Sequence, residues 1–344
     1  MTTPTLPPVL ARARELAGPA LRAAVAGLHP EVARVAAYHF GWQDRDGHPT
    51  SGNGGKALRP ALALLSAEAV GADARVGLPG AVAVELVHNF SLLHDDLMDG
   101  DEERRHRPTA WKAFGPGAAI LAGDALLALA ERTVLDAGGA ADGTGRQAAR
   151  HLTRAVDWLI DGQAADLAFE RRQDVKVDEC LAMARGKTGA LLGCSASIGA
   201  LLAGAPDSTV ATLDAFGQHL GLAFQAVDDL LGIWGRPEVT GKPTWSDLRQ
   251  RKKSLPVVLA LDGGGPPAER LAAWLAAGPD GDRDLALAAE LVEVAGGRQR
   301  TTDLAEQELA HALDLLGRLR AAGLAGAALA ELDDLARFVT AREL

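Results

Sequence analysis

The chain has 344 residues, of which 48% are hydrophobic and 4% aromatic, and its formal net charge is −10 at pH 7. The negative charge argues against nonspecific binding to nucleic acid or to an anionic membrane. Ala and Leu dominate the apolar residues, and clusters of β-branched and aromatic residues are sparse, which favours an all-α protein. Cys180 and Cys194 have no metal-ligand spacing and are interpreted as small core residues.

Apolar residues recur at three- and four-residue spacing along most of the chain, and this spacing predicts helices separated by glycine and proline. No segment has the composition of a flexible linker and no repeat is evident. We therefore interpret residues 1–344 as a single domain whose first few residues could be disordered. The predicted helices cover about 7–37, 57–70, 78–99, 117–136, 144–169, 177–203, 208–234, 254–261, 266–276, 283–295, 301–322 and 326–341.

The sequence shows no signal-peptide pattern at its N-terminus, because no basic segment is followed by an apolar run. The longest apolar segments are interrupted, for example by Asp124, so no membrane span is expected. A cytoplasmic protein is the resulting expectation.

The predicted helix 78–99 ends in Asp95, Asp96 and Asp99, and Arg104 and Arg105 follow. Neighbouring carboxylates repel one another on a helix, so this set is a poor choice for an ordinary surface. Mg²⁺ binds a few carboxylates while phosphate oxygens and water complete its coordination, and arginines bind the same phosphates. The pattern indicates an enzyme acting on diphosphates, although a solvated acidic helix end would look the same.

Cations and buried polar residues recur in three further places. Lys56 and Arg59 follow a glycine-rich segment, and this arrangement suits a second diphosphate. It is not a nucleotide P-loop, because position 50 is Thr instead of Gly and residue 57 is Ala instead of Ser or Thr. Polar side chains in apolar helices need partners, which a metal–diphosphate site would provide. These side chains are Gln163 and Asp166 in one helix and Gln225, Asp228 and Asp229 in another, with Lys242, Asp247 and Lys252 after them.

The ordered set of these motifs resembles the trans-isoprenyl diphosphate synthase family, also called polyprenyl synthetases. The resemblance spans residues 54–256. It implies an all-α, single-domain isoprenoid-synthase helical bundle with a deep central pocket, in a homodimer. The matching stretches are GGKALRP (54–60), ELVH (85–88), HDDLMDGDEERRHRPT (94–109), GQAAD (162–166), GKTG (186–189), FQAVDDLLG (224–232) and GKPTWSDLRQRKKSLP (241–256).

The resemblance also implies a role for each matching residue, with Asp95, Asp96, Lys187 and Asp228 as the catalytic residues. Mg²⁺, three ions when substrate is bound, would be held by Asp95, Asp96, Asp99, Asp228 and Asp229. The allylic diphosphate would contact Arg104, Gln163, Lys187, Thr188, Gln225, Lys242 and Lys252. Isopentenyl diphosphate would contact Lys56, Arg59, His88 and Arg105.

The chemistry implied is ionisation of an allylic diphosphate, with the metals stabilising charge on the leaving group and an apolar pocket shielding the carbocation from water. The expected product is geranylgeranyl diphosphate (C20). Ser91 is small and leaves the passage below Asp95 open, while Phe90 is the first bulky residue able to close its floor. For an isolated Phe, simple packing against a neighbouring helix is the ordinary alternative.

Three residues depart from the family pattern. Gly232 stands where the second acidic motif usually ends in Asp, Arg236 follows Gly235 in place of an Asp, and Trp245 replaces a small residue before Asp247. Alternatives therefore stay open: a farnesyl diphosphate (C15) synthase, a terpene cyclase of the same fold, or a non-catalytic partner subunit.

Overall fold

The computed structural model of the chain describes residues 7–50, 55–137, 143–236, 244–277 and 281–341, apart from the side chain of Arg283. Helices dominate this part of the chain, so the all-α class predicted from the sequence is confirmed. The helices are α1 Pro8–Ala26, α2 Pro30–His39, α3 Leu58–Ala69, α4 Leu78–Met98, α5 Ala110–Phe114, α6 Pro116–Leu135, α7 Thr144–Glu170, α8 Val177–Ala184, α9 Ala190–Leu202, α10 Asp207–Trp234, α11 Ser246–Arg249, α12 Leu255–Asp262, α13 Gly265–Ala277, α14 Asp282–Val294, α15 Gly297–Ala321 and α16 Gly326–Thr340.

Short elements complete the described residues. A 3₁₀ turn, Ala74–Gly77, precedes α4, and a π-helical turn, Arg185–Gly189, joins α8 to α9. A two-stranded antiparallel hairpin pairs β1, Glu103–Arg104, with β2, Arg107–Pro108. The sequence patterns predicted neither the hairpin nor α5 and α11, because elements of two to five residues are too short to show periodicity.

Two predicted helices differ from the structure. The helix expected over 7–37 is two helices, because Gly27 ends α1 and Pro30 occupies the first turn of α2, where a missing N–H costs nothing. The helix expected over 177–203 is interrupted by the π turn. Gly186 in this turn lies against α7, where an added Cβ would be 2.7 Å from the carbonyl oxygen of Trp158.

The contacts divide the chain into two compact units. Unit 1 comprises residues 1–156, 194–214 and 316–334, and unit 2 comprises residues 157–193, 215–315 and 335–344. Every boundary falls inside a helix rather than in a linker. In unit 1, α4 packs against α6 and α3, and it is buried along most of its length. In unit 2, α12 packs against α8, α13 and α14.

Among the described residues, one stretch, Ala74–Met98, is long and apolar enough to cross a bilayer, with a mean hydropathy of 1.4. The sequence interpretation overlooked it. However, 72% of its most apolar window is buried inside the protein, as expected for a helix in a protein core. Cys180 and Cys194 are both buried and unbonded to one another, which confirms their interpretation as core residues.

Candidate active site

The acidic end of α4 places its three carboxylates at different depths. Asp99 is exposed and Asp95 half-buried, whereas Asp96 is only 1% exposed. Asp96 Oδ1 accepts hydrogen bonds from Arg104, at 2.7 Å from Nε and 2.6 Å from Nη2. Burial raises the pKa of Asp96, and the Arg104 guanidinium opposes that rise. Asp96 is thus the most enclosed of the three carboxylates.

The hairpin after α4 positions the arginines. Its turn residues, Arg105 and His106, both have positive φ, which directs the chain back so that Arg104 faces Asp96. Thr109, at the start of α5, donates its hydroxyl to the carbonyl of Asp101 at 2.8 Å, and its backbone N–H bonds Glu102. Thr109 is therefore at the N-cap position of α5, but its side chain fixes the hairpin instead of capping that helix.

A cavity of about 270 Å³ in unit 1 is bordered by these residues. Its lining includes three cationic residues, Arg104, Arg105 and Arg107, together with Asp96 and His39. Arg107 stacks over the ring of Tyr38, which ties the hairpin to α2. Three guanidinium groups around one opening suit a polyanion such as a diphosphate.

Two histidines in this unit are held neutral. Burial lowers the pKa of His88 well below its usual range, and Arg59 and Arg105 lower it further. Burial also lowers the pKa of His39 to about 3, with Arg104 and Arg105 adding to the effect. A neutral imidazole can donate or accept a hydrogen bond without adding charge to the arginines.

Glu85 balances the cations at the second predicted diphosphate site. It is buried, which raises its pKa, and the nearby Arg59 and Arg105 oppose the rise. Asn89 donates to its carboxylate at 3.3 Å and to its backbone carbonyl at 2.8 Å. The structure thus brings Arg59, Arg105 and His88 together, whereas Lys56 is exposed.

In unit 2, Lys187 on the π turn forms an ion pair with Asp166 of α7, with Nζ 2.6 Å from Oδ2. Lys252 lies 3.8 Å from the same oxygen. Both lysines lower the pKa of Asp166, against the effect of burial. The close approach depends on Gly162, where an added Cβ would lie 2.3 Å from the backbone nitrogen of Lys187.

The second acidic motif lies on α10 and is built into a hydrogen-bond network. Thr188 donates to Gln225 at 2.6 Å, and Gln225 donates to Asp229 Oδ1 at 2.7 Å. The N–H of Leu255 donates to Asp229 Oδ2 at 2.9 Å. Burial raises the pKa of Asp229, and the charge of Asp247 raises it further. Asp228 is half-buried. Each oxygen of Asp229 keeps a second lone pair, so these bonds leave metal coordination open.

Not all of the predicted residues can be placed. Lys242 lies outside the described residues. Sequence reasoning did not assign roles to His39 or Arg107, because neither residue belongs to a periodic pattern. Asp166 and Asp247 were noted in their motifs without a role. Their charge was the available signal, and their partners are visible only in the structure.

The two residues predicted to set product length lie in α4. Phe90 is 7% exposed and its ring contacts His94 edge-to-face, with centroids 5.0 Å apart. His94 in turn fits against Gly123 of α6. Ser91 donates its hydroxyl to the carbonyl of His88 at 2.9 Å, so its side chain is bound to the backbone of its own helix.

The residues present fit a divalent metal. Among the described residues, Asp96 Oδ2 is buried without a hydrogen-bond partner, and so are both atoms of the Gln163 amide. Unmatched buried oxygens are costly unless a ligand satisfies them, and carboxylate oxygens are the ligands that Mg²⁺ prefers. Asp96 would hold the ion, which would supply positive charge to a departing diphosphate.

Comparison with known proteins agrees with this geometry. The family model described as polyprenyl synthetase matches residues 47–292. The (2E,6E)-farnesyl diphosphate synthase of Mycobacterium tuberculosis is 52% identical over 347 residues, covering 100% of this chain and 95% of that protein. The geranylgeranyl diphosphate synthase of the same organism is 45% identical over 309 residues, covering 90% and 88%.

A solved structure extends the agreement to the fold. The polyprenyl synthetase of Streptomyces coelicolor A3(2) superposes with a TM-score of 0.91 at 55% identity, covering 97% of this chain and 99% of that one. Sequence, fold and the acidic and cationic residues lead to the same assignment. The chain belongs to the polyprenyl synthetase family and is a prenyltransferase that elongates short prenyl diphosphate chains.

Proposed function

We propose that the protein catalyses the Mg²⁺-dependent head-to-tail condensation of isopentenyl diphosphate with allylic diphosphates, and that its product is all-trans geranylgeranyl diphosphate. The observation that carries the proposal is the buried Asp96 carboxylate, with one oxygen on Arg104 and one unmatched, beside a cavity lined by three arginines. Such a carboxylate is suited to a cation that bridges it to phosphate oxygens.

The allylic diphosphate is bound through carboxylates and cations that the family motifs supply. Mg²⁺ held by these carboxylates would supply positive charge to the leaving diphosphate. Lys187 and Lys252, both near Asp166, neutralise the same charge directly. Gln225 and Asp229 orient one another, and Leu255 fixes Asp229 through its N–H. The proposed metal ligands are Asp95, Asp96, Asp99, Asp228 and Asp229.

Isopentenyl diphosphate is bound by Arg59, Arg105, His88 and Lys56. The neutral state of His88 lets it hydrogen-bond a phosphate oxygen while the arginines supply the charge. The exposed Lys56 can approach a bound anion from solvent. The double bond of isopentenyl diphosphate then attacks the allylic carbon, a C–C bond forms, a proton leaves, and the released diphosphate accepts it.

Farnesyl diphosphate is the second candidate product. It is favoured by the 52% identity to the M. tuberculosis farnesyl diphosphate synthase, against 45% to the geranylgeranyl diphosphate synthase. The C20 product is favoured by the small Ser91 below Asp95 in α4. Both products result from the same chemistry and differ only in the number of condensations.

Incubation with Mg²⁺, isopentenyl diphosphate and dimethylallyl, geranyl or farnesyl diphosphate in turn, with products read by mass spectrometry, tests the proposal. We expect a C20 product from every primer. Accumulation of a C15 product with no use of farnesyl diphosphate would establish the second candidate. Cyclic hydrocarbons, or no isopentenyl diphosphate consumed, would refute prenyl elongation by this chain.

We further propose that the protein is a cytoplasmic homodimer. In unit 1, α6 exposes Ile120 and Leu121 by 42% and 62% of their surfaces. Exposed apolar side chains on one helix suit a contact with a second copy. Light scattering after gel filtration should give twice the chain mass of 35.7 kDa.

A further inference from the structure

Two histidines and a glutamate come together between α10 and α15 in unit 2. His219 lies on α10, and Glu308 and His311 lie on α15. One potential metal-ligand atom of each residue lies within 4.8 Å of those of the other two. His219 Nδ1 is 2.5 Å from Glu308 Oε2, and the His219 and His311 ring centroids are 5.3 Å apart. None of the three belongs to the acidic or cationic motifs of the diphosphate chemistry.

Helix packing positions these side chains. Ala305 of α15 belongs to the same buried cluster as Ala226 of α10. Glu308 follows Ala305 by three residues, and His219 precedes Ala226 by seven, so each lies on the packed face of its helix. His311 lies a further three residues along α15 and is exposed. The group is therefore built on two long helices and opens to solvent at one edge.

The burial of Glu308 creates a demand for positive charge. The Glu308 side chain is 8% exposed, and its ion-pair partner in the described part of the chain is His219, which is 36% exposed. A buried carboxylate is costly unless it is neutralised or hydrogen-bonded, and a neutral imidazole supplies only the hydrogen bond. A divalent cation would neutralise the carboxylate and bind the imidazole lone pairs, and the exposed histidines leave it a path from solvent.

The ligand types select the metal. Two imidazole nitrogens and one carboxylate oxygen suit Zn²⁺, whereas Mg²⁺ prefers oxygen ligands alone. In a tetrahedral site with Zn²⁺ bonds of about 2.0–2.2 Å, ligand atoms lie about 3.4 Å apart, and water takes the fourth position. Small side-chain rotations bring the three ligand atoms to this spacing. Asp228 begins the acidic motif nine residues after His219, about 13.5 Å along α10, which is too far to share the ion.

We propose that His219, Glu308 and His311 bind Zn²⁺ and that the ion cross-links α10 to α15, separately from the Mg²⁺–diphosphate centre. The inference does not depend on the proposed function. Zn²⁺ bound here stabilises the folded protein, because the unfolded chain does not hold the three ligands together.

A second group, Asp44, Asp46 and His48 in unit 1, provides the comparison within the same chain. Asp44 Oδ1 accepts the N–H groups of Asp46 and His48 at 2.9 Å each, so the turn itself uses this carboxylate. The group offers a single imidazole, and both Asp46 and His48 are exposed. We expect it to bind Zn²⁺ more weakly, which makes His48 the control position.

Calorimetric titration of the chelator-treated whole chain with Zn²⁺, with Mg²⁺ in excess throughout, tests the proposal. The excess of Mg²⁺ limits binding of Zn²⁺ to the aspartate motifs. We expect one Zn²⁺ per chain. His219→Ala, Glu308→Gln and His311→Ala should each weaken Zn²⁺ binding about 100-fold or more, because loss of an outer-shell partner alone costs about 10–100-fold. His48→Ala should bind Zn²⁺ as the parent protein does.

The Tm provides a second readout. Zn²⁺ should raise the Tm of the parent and of His48→Ala but not that of His311→Ala, and EDTA should reverse the increase. His311 is exposed, so its replacement decides the outcome even if Glu308→Gln does not fold. A parent protein that binds no Zn²⁺ in excess Mg²⁺, or His311→Ala binding within twofold of the parent, would overturn the inference. Loss of Zn²⁺ binding in His48→Ala alone would place the ion on the Asp44 turn and would overturn it as well.

Discussion

At the scale of single residues, Asp96 combines two demands that usually conflict. It is almost fully buried, which raises its pKa, and one guanidinium on one of its oxygens opposes that rise. The other oxygen remains for a ligand. A buried carboxylate with one oxygen that lacks a hydrogen-bond partner destabilises the fold. Such a group is therefore expected where it binds a ligand or takes part in catalysis.

Replacement of Asp96 by Asn should lower kcat by about 100-fold or more, because charge stabilisation of the leaving diphosphate is lost. Steady-state kinetics at saturating Mg²⁺ measures the effect. Asp136→Asn, a change at the exposed end of α6, is the matched control. Turnover of a folded Asp96→Asn protein close to that of the control would contradict the assignment.

His39 should make stability depend on pH. Its pKa is lowered to about 3 in the folded protein and is about 6.5 in an unfolded chain. Between these values the unfolded state binds more protons, so the stabilisation present above pH ~6.5 is lost as pH falls towards 3. We expect the Tm of His39→Gln to fall less between pH 7.5 and 5.5 than that of the parent. The exposed His29→Gln should follow the parent, and identical slopes for all three proteins would exclude this role.

At the scale of elements, the contact between α7 and the π turn decides where Lys187 lies. Gly162 on α7 and Gly186 in the turn let the two backbones touch, and an added Cβ on Gly162 would also lie 2.8 Å from the carbonyl carbon of Gly186. The wider turn at 185–189 then places Lys187 against Asp166. A regular α-helix at this point would rotate every following side chain.

Gly162→Ala should therefore destabilise the protein by about 1–3 kcal/mol and reduce kcat, because Lys187 must move away. Chemical denaturation and kinetics measure the two effects. Gly317→Ala is the contrasting variant: Gly317 lies inside α15 with open space around it, so Ala there should stabilise by about 0.5–1 kcal/mol. An unchanged free energy of unfolding and an unchanged kcat in Gly162→Ala would contradict the tight contact between α7 and the π turn.

The product length is a property of α4 and its neighbour. If Phe90 closes the floor below Asp95, Phe90→Ala should extend the products beyond the parent length. If Phe90 only packs against His94, the change should cost about 3–5 kcal/mol and leave the products unchanged. Mass spectrometry of products from a folded Phe90→Ala protein distinguishes the two, with Phe338→Ala on α16 as a control distant in sequence.

At the scale of the whole molecule, ligand binding and stability are linked. The buried, unmatched oxygen of Asp96 destabilises the free protein, and a bound Mg²⁺–diphosphate would satisfy it. Calorimetry should show a Tm increase with Mg²⁺ and diphosphate together that exceeds the sum of the separate increases. The corresponding gain in the free energy of unfolding is about 2.7 kcal/mol at a ligand concentration of 100 times Kd. Addition of EDTA should reverse the increase, and equal effects of diphosphate with and without Mg²⁺ would contradict the linkage.

The amino-acid sequence alone determined the helical class, most helix bounds and the carboxylate and cation motifs. Helical periodicity is a local property, and the carboxylate and cation motifs at 54–60, 94–109 and 224–232 are carried by neighbouring residues. The break at Gly27 and Pro30 was present in the sequence too, but the flanking apolar pattern concealed it.

Only the tertiary structure decided which charges meet. The pairing of Asp96 with Arg104, the neutral His39 and the Asp247 carboxylate against Gly232 join residues whose separation along the chain carries no periodic signal. Burial, which no single residue reports, raises the pKa of Asp96 and lowers that of His88. Sequence fixes which groups are available, and packing decides their depth, partners and charge, because desolvation depends on every neighbour at once.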